Sequence, residues 1–166
     1  MIERPSPNFG ERRGGVLPSL VVIHYTGMGT CEAAADRLCS PDAEVSCHYL
    51  ISETGEVIHL VDETMRAWHA GAGSWGEISD VNSASIGIEL ANPGPLAGFP
   101  PYPEPQMQAL ERLLAEIMAR WHIRPEDVVG HSDTATGRKF DPGEKFDWGR
   151  LEHSGLARRH VHRPKS

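Results

Sequence analysis

The strongest constraint on this chain is an apolar stripe. Between residues 104 and 121, Met107, Leu110, Leu113, Leu114, Ile117, Met118 and Trp121 recur at steps of three and four, which puts them on one side of a helix. A helix of this kind needs another layer to cover, and the rest of the sequence offers strands. Residues 20–25, LVVIHY, form a β-branched run that ends in polar chemistry at His24, the pattern of a buried strand delivering one side chain to its end. Residues 85–90, SIGIEL, alternate, so Ile86, Ile88 and Leu90 belong to one face and Gly87 and Glu89 to the other. Residues 46–51 and 57–61 flank SETGE and predict an antiparallel hairpin with His48 and His59 on its arms. Val128 and Val129 predict a short strand leading to Gly130 and His131, residues 31–38 a short helix, and residues 147–152 a closing one. Interleaved strands and helices imply an α/β fold, with helices flanking a central sheet in a single domain. Its catalytic core is expected over about residues 16–152, with the Pro-rich residues 93–105 as a loop over the sheet edge.

Composition narrows the function. Hydrophobic residues make up 39% and charged residues 23% of the 166 positions, as in water-soluble globular domains. A net charge of -7 argues against nucleic acid as a partner, since phosphate-backbone binding draws on clustered cations. The exception is the tail 153–166, with Arg158, Arg159, His160, His162, Arg163 and Lys165, which is expected to be solvated and mobile. Three cysteines, Cys31, Cys39 and Cys47, cannot all pair within the chain, and a reducing compartment suits them. The opening MIERPSPNFGERRGG lacks the apolar stretch of a signal peptide, and no apolar run reaches membrane-spanning length; a cytoplasmic protein without a membrane partner is expected.

Among nine histidines, two sit where a strand can aim them: His24 ends one, and His131 follows another and a glycine. Asp141 lies ten positions beyond His131 in GRKFDPG, a loop punctuated by Pro142 and Gly143. Two imidazoles and a carboxylate suit Zn2+, and three protein ligands leave a fourth position open, as in catalytic rather than structural zinc sites. The residues alone also allow a plainer reading, in which His24 is a hydrogen-bonded core histidine and HSD at 131–133 is a loop turn.

Seven blocks in order resemble the type 2 N-acetylmuramoyl-L-alanine amidases: VVIHYTG (21–27), VSCHYLIS (45–52), TGEVIHLV (54–61), RAWHAG (66–71), NSASIGIELANPG (82–94), VVGHSD (128–133) and GRKFDPG (137–143). This resemblance, to the AmpD and AmiD branch related to peptidoglycan recognition proteins, implies a central mixed sheet and a zinc-dependent amidase that takes muropeptides as substrate. It implies His24, His131 and Asp141 as metal ligands, Glu89 as the catalytic acid and Lys139 as a cation that stabilises the oxyanion. It also places the AWHAG segment at the substrate groove, so that Trp68 and His69, with His48, are candidate substrate contacts, and Tyr25 and Asn92 join them as neighbours in sequence of His24 and Glu89. Plainer alternatives remain: a surface carboxylate for Glu89, a surface ion pair with Glu144 for Lys139, and core packing for Trp68. Where phage-type relatives carry a tyrosine before the histidine, this chain has Cys47, which removes any role for a phenol there.

Three other functions compete. A non-catalytic peptidoglycan-binding module fits the fold but would not need all the ligand positions filled. A cysteine peptidase built on Cys47 and His48 meets the objection that neighbouring strand residues point to opposite faces. Within the amidase reading, the expected substrate is a soluble (1,6-anhydro)muropeptide in cell-wall recycling, the alternative being intact peptidoglycan.

Overall fold

The structure is a computed structural model and describes residues 1–159; the tail positions His160, His162, Arg163 and Lys165 lie outside the described residues. In chain order the strands are β1 (Ile2–Glu3), β2 (Phe9–Glu11), β3 (Leu20–Tyr25), β4 (Tyr49–Ile51), β5 (Val57–His59), β6 (Met65–Ala67), β7 (Ser85–Leu90) and β8 (Val128–Gly130). The helices are α1 (Cys31–Leu38), α2 (Val81–Ala84), α3 (Glu104–Trp121), α4 (His131–Thr134) and α5 (Trp148–His153). Six strands form a mixed sheet in the order β1-β5-β4-β7-β3-β8, and β2 pairs with β6 in a separate ribbon. Within the sheet β4, β7, β3 and β8 run parallel, and β5 turns back antiparallel to β4.

The stripe of residues 104–121 is α3. Its residues Met107, Leu110, Leu113, Leu114 and Ile117 are buried against Val21, Ile23, Ile86, Ile88, Leu90 and Val128, each contributing about 1.5–3 kcal/mol of apolar burial. Pro105 in the first turn is tolerated because its missing N–H has no intrahelical partner there. His122 ends the helix in the left-handed region and donates its N–H to the carbonyl of Met118. The opposite face of the sheet carries two smaller clusters. Ala34, Ala35 and Leu38 of α1 pack on Cys47, Leu50 and Ile58, while Leu20, Val22 and Val129 pack on Ala70 and Val81. His24 continues the Leu20 and Val22 side of β3, and Glu89, paired in register with Leu50 and His24, faces the same way. The carboxyl ends of three adjacent parallel strands therefore deliver His24, Glu89 and His131 to one place, the usual location of a site in an α/β sheet.

Several sequence expectations change. The first hairpin arm is shorter than 46–51: regular pairing covers Tyr49–Ile51, and Ser46 directs its backbone N–H to the carbonyl of Trp68 instead. The loop 93–105 follows β7, an interior strand, and its Phe99 packs edge-on against Tyr25 at the end of β3. The first part of the tail is fixed. Ala157 is buried, and Arg159 lies 4.0 Å from the Trp148 ring centroid and donates to Asp133 at 2.5 Å.

Candidate metal centre

His24 Nδ1, His131 Nδ1 and Asp141 Oδ2 converge. The two nitrogens are 3.0 Å apart and lie 2.8 and 3.3 Å from the oxygen. All three residues are buried. The far side of each imidazole is already bonded: His131 Nε2 lies 2.8 Å from the carbonyl oxygen of Ala70, and His24 Nε2 lies 3.0 Å from Nδ1 of His69. A carbonyl only accepts, so His131 carries its hydrogen on Nε2 and turns the lone pair of Nδ1 toward Asp141. The same holds for His24, because Ser85 donates its hydroxyl to Val81 and can only accept from His69 Nε2, which leaves His69 Nδ1 as an acceptor. Three electron pairs thus point at one spot, and a cation there would satisfy all of them. The buried Asp141 carboxylate, facing both lone pairs, completes the set. Two imidazoles and one carboxylate, with no thiolate among them, fit Zn2+.

The neighbouring geometry comes from local sequence. Gly143, at φ 77 and packed against Phe99, turns the chain directly after Asp141-Pro142, where an L side chain would be strained. Asp133 caps α4 by accepting the N–H of Gly130 at 2.8 Å, which fixes the start of the helix that carries His131.

Beside the ligands opens a cleft of about 420 Å³, lined among others by Tyr25, Trp68, His69, Glu89, Lys139 and Phe140. Glu89 Oε2 is buried and has no hydrogen-bond partner among the described residues. Burial first, then the Asp141 carboxylate, push the Glu89 pKa well above the ordinary range, while Lys139 pulls it down. A buried carboxyl with a raised pKa that faces a cleft is the kind of group that serves as a general acid or base. Lys139 is exposed on the cleft wall. Among the described residues the ion pair with Glu144 that the plainer alternative required is not formed, and no other ion pair engages it.

The remaining expected contacts separate. Tyr25 lines the cleft with its ring edge-on to Phe99, and Trp68 forms part of the wall while its backbone bonds to Ser46. His69 reaches the cleft, but both ring nitrogens are committed to His24 and Ser85, so its role as a substrate contact is corrected. His48 is corrected as well: it is fully buried, accepts from Gly87 N at 3.0 Å and donates to the Met65 carbonyl at 2.9 Å. Asn92 is buried and spends its carboxamide on Gly94 N and the Pro100 carbonyl; it shapes the loop and does not touch the cleft. The pairing of Cys47 with His48 fails for the same reason. Cys47 is buried, donates to the Tyr49 carbonyl, and has its pKa pushed well up by burial, the reverse of an activated thiol. Sequence reasoning missed Arg37, Arg138 and Phe140 on the cleft wall and the supports Ala70, Asn82 and Ser85. For Ala70, Asn82, Ser85, Arg138 and Phe140 the only sequence signal was their position inside the blocks 66–71, 82–94 and 137–143, and Arg37 lies outside every block.

Comparison with known proteins agrees with this geometry. The profile of the family described as N-acetylmuramoyl-L-alanine amidase matches residues 14–144. The chain is 40% identical to N-acetylmuramoyl-L-alanine amidase AmiD of Escherichia coli K12 over 149 residues, covering 82% of this chain and 53% of that protein. It therefore spans about half the length of this relative. It is 33% identical over 164 residues to 1,6-anhydro-N-acetylmuramyl-L-alanine amidase AmpD of Salmonella typhimurium SL1344, covering 89% and 86% of the two chains. The solved complex of E. coli AmiD with anhydro-N-acetylmuramic acid-L-Ala-D-gamma-Glu-L-Lys superposes with a TM-score of 0.79 at 35% identity, over 91% of this chain and 67% of that one. With the family profile covering most of its length, this chain belongs to the N-acetylmuramoyl-L-alanine amidase family.

Proposed function

We propose that this protein is a zinc-dependent amidase that hydrolyses the amide between the lactyl group of N-acetylmuramic acid and L-alanine in 1,6-anhydro-muropeptides, as a step of cell-wall recycling. The observation that carries the reading is the convergence of His24 Nδ1, His131 Nδ1 and Asp141 Oδ2 beside the unpartnered carboxylate oxygen of Glu89. His24, His131 and Asp141 would hold the zinc. When bound, zinc supplies Lewis acidity that makes a water nucleophile available near neutral pH and polarises the scissile carbonyl. Glu89 removes a proton from the attacking water and returns it to the departing α-amine of L-alanine, the exchange its raised pKa suits. Lys139, exposed on the same wall, places a positive charge where the carbonyl oxygen becomes anionic. Tyr25 and Trp68 flank the cleft and orient the substrate.

The substrate named for the AmiD complex is itself an anhydro-muropeptide, and the AmpD relatives carry the same chemistry in their name. No helix among the described residues is long and apolar enough to cross a membrane, and a recycling role would put the enzyme in the cytoplasm. A second reading, attack on intact peptidoglycan, draws on the higher identity to AmiD, whose name, unlike that of the AmpD relatives, carries no 1,6-anhydro qualifier. Peptide release from purified anhydro-muropeptide and from insoluble sacculi, measured side by side, tests the choice. Release from the soluble fragment is expected to be far faster, and a protein that digests sacculi alone contradicts the recycling role.

A further inference from the structure

The segment 68–70 approaches both imidazole ligands from behind. His69 Nδ1 lies 3.0 Å from His24 Nε2, and the carbonyl of the next residue, Ala70, lies 2.8 Å from His131 Nε2. The two supports are tied together, because one atom, Asn82 Oδ1, accepts the N–H of His69 at 3.1 Å and that of Ala70 at 2.8 Å. A second donor also reaches the Ala70 carbonyl, Arg138 Nη2 at 3.0 Å. Beyond His69 the chain of bonds continues in one direction, from His69 Nε2 to Ser85 Oγ and from the Ser85 hydroxyl to the Val81 carbonyl. Space for the His69 ring comes from Gly87, where a Cβ would fall within the ring's van der Waals envelope.

We infer that the His69-Ala70 dipeptide, held by Asn82, is the positioning element that presents the lone pairs of both histidine ligands to the metal. The direction of the bonds carries the inference. Every hydrogen in the run from His24 to Val81 has one acceptor, and the run ends on a carbonyl that can only accept. His24 therefore keeps its hydrogen on Nε2 and its lone pair on Nδ1, and the Ala70 carbonyl imposes the same choice on His131. Groups that orient metal-ligating histidines in this way typically change metal affinity ~10–100-fold when removed. His69 is thus a positioning residue rather than a substrate contact. The inference rests on the metal-dependent reading of the site.

The test is zinc affinity, measured by competition with a chromophoric chelator on the wild type and on His69→Leu, His69→Asn and Asn82→Ala. The wild type is expected to bind tightly. His69→Leu leaves His24 Nε2 without an acceptor and should weaken binding about 10–100-fold. His69→Asn places a carboxamide oxygen near the position of Nδ1 and should recover most of that loss, although it gives up the bond to Ser85. Asn82→Ala frees both supports and should weaken binding at least as much as His69→Leu, which keeps the inference testable even if His69→Leu fails to fold. Wild-type affinity in folded His69→Leu or Asn82→Ala overturns the inference and leaves the metal site standing. So does equal weakening by His69→Leu and His69→Asn in proportion to the thermal stability each loses, because that is what a merely structural residue would give. A wild type that binds no zinc overturns the metal reading itself.

Discussion

The two faces of β7 hold the same backbone and have opposite requirements. On one face Ile86, Ile88 and Leu90 fill space against α3, each one member of a large apolar cluster. On the other, Ser85, Gly87 and Glu89 each have specific tasks. Ser85 accepts from His69, Gly87 leaves room for that ring and donates its N–H to His48, and Glu89 faces the cleft. The first face is specified by volume, so aliphatic residues of similar size can exchange there at modest cost. The second is specified atom by atom. Stability and chemistry are therefore separable by alternate residues of a single strand.

The largest expected effect lies on the apolar face. Ile88→Ala, at a fully buried position, should cost about 3 to 4 kcal/mol in denaturant unfolding, from lost transfer energy and the cavity left behind. Zinc affinity of the folded fraction should be unchanged, and a large drop in affinity would show that the faces are not independent. Next comes Glu89→Gln. Because Glu89 Oε2 has no partner to lose, the variant should fold with near wild-type stability and keep its zinc, while turnover falls about a hundredfold or more, as loss of a general base does. Retained turnover in a metal-loaded Glu89→Gln protein would place the base elsewhere.

The smallest effect is a pH dependence behind Gly87. Burial, outweighing the bond to the Met65 carbonyl, lowers the His48 pKa from 6.5 to about 4, so the folded protein holds this ring neutral. Its contribution is complete above the unfolded pKa near 6.5 and is lost as pH falls toward the folded value. At pH 5 the loss should be on the order of 2 kcal/mol. Unfolding of metal-free wild type and His48→Gln between pH 7 and pH 5 measures it: the wild type should lose more stability than the variant, and parallel curves would refute a buried neutral His48.

What the sequence made legible follows the same division. A β-branched apolar run placed β3, alternation placed β7 and helical spacing placed α3 at their observed bounds. The strands β1, β2 and β6, of two or three residues each, are too short to show a period, and their pairing is set by distant partners. The convergence of His24, His131 and Asp141 was anticipated from two histidines at strand ends, although the residues alone left a plainer reading open that only the family resemblance outweighed. His48 and His69 lie in blocks of the same family resemblance, yet their roles depended on which atoms their ring nitrogens meet: Gly87 N and the Met65 carbonyl for one, His24 and Ser85 for the other. That is tertiary information, and no spacing along the chain encodes it. Asn82 was missed for the same reason, since its carboxamide acts on backbone 12 and 13 residues away.

The central claim, that His24, His131 and Asp141 hold a metal on which amide hydrolysis depends, is tested most directly by removing and restoring that metal. Protein stripped with a chelator should release no L-alanyl peptide from 1,6-anhydro-muropeptide, and activity should return as zinc is added, reaching its plateau near one ion per chain. Full activity in the stripped protein, or recovery of the same plateau by an Asp141→Ala variant, would contradict the account.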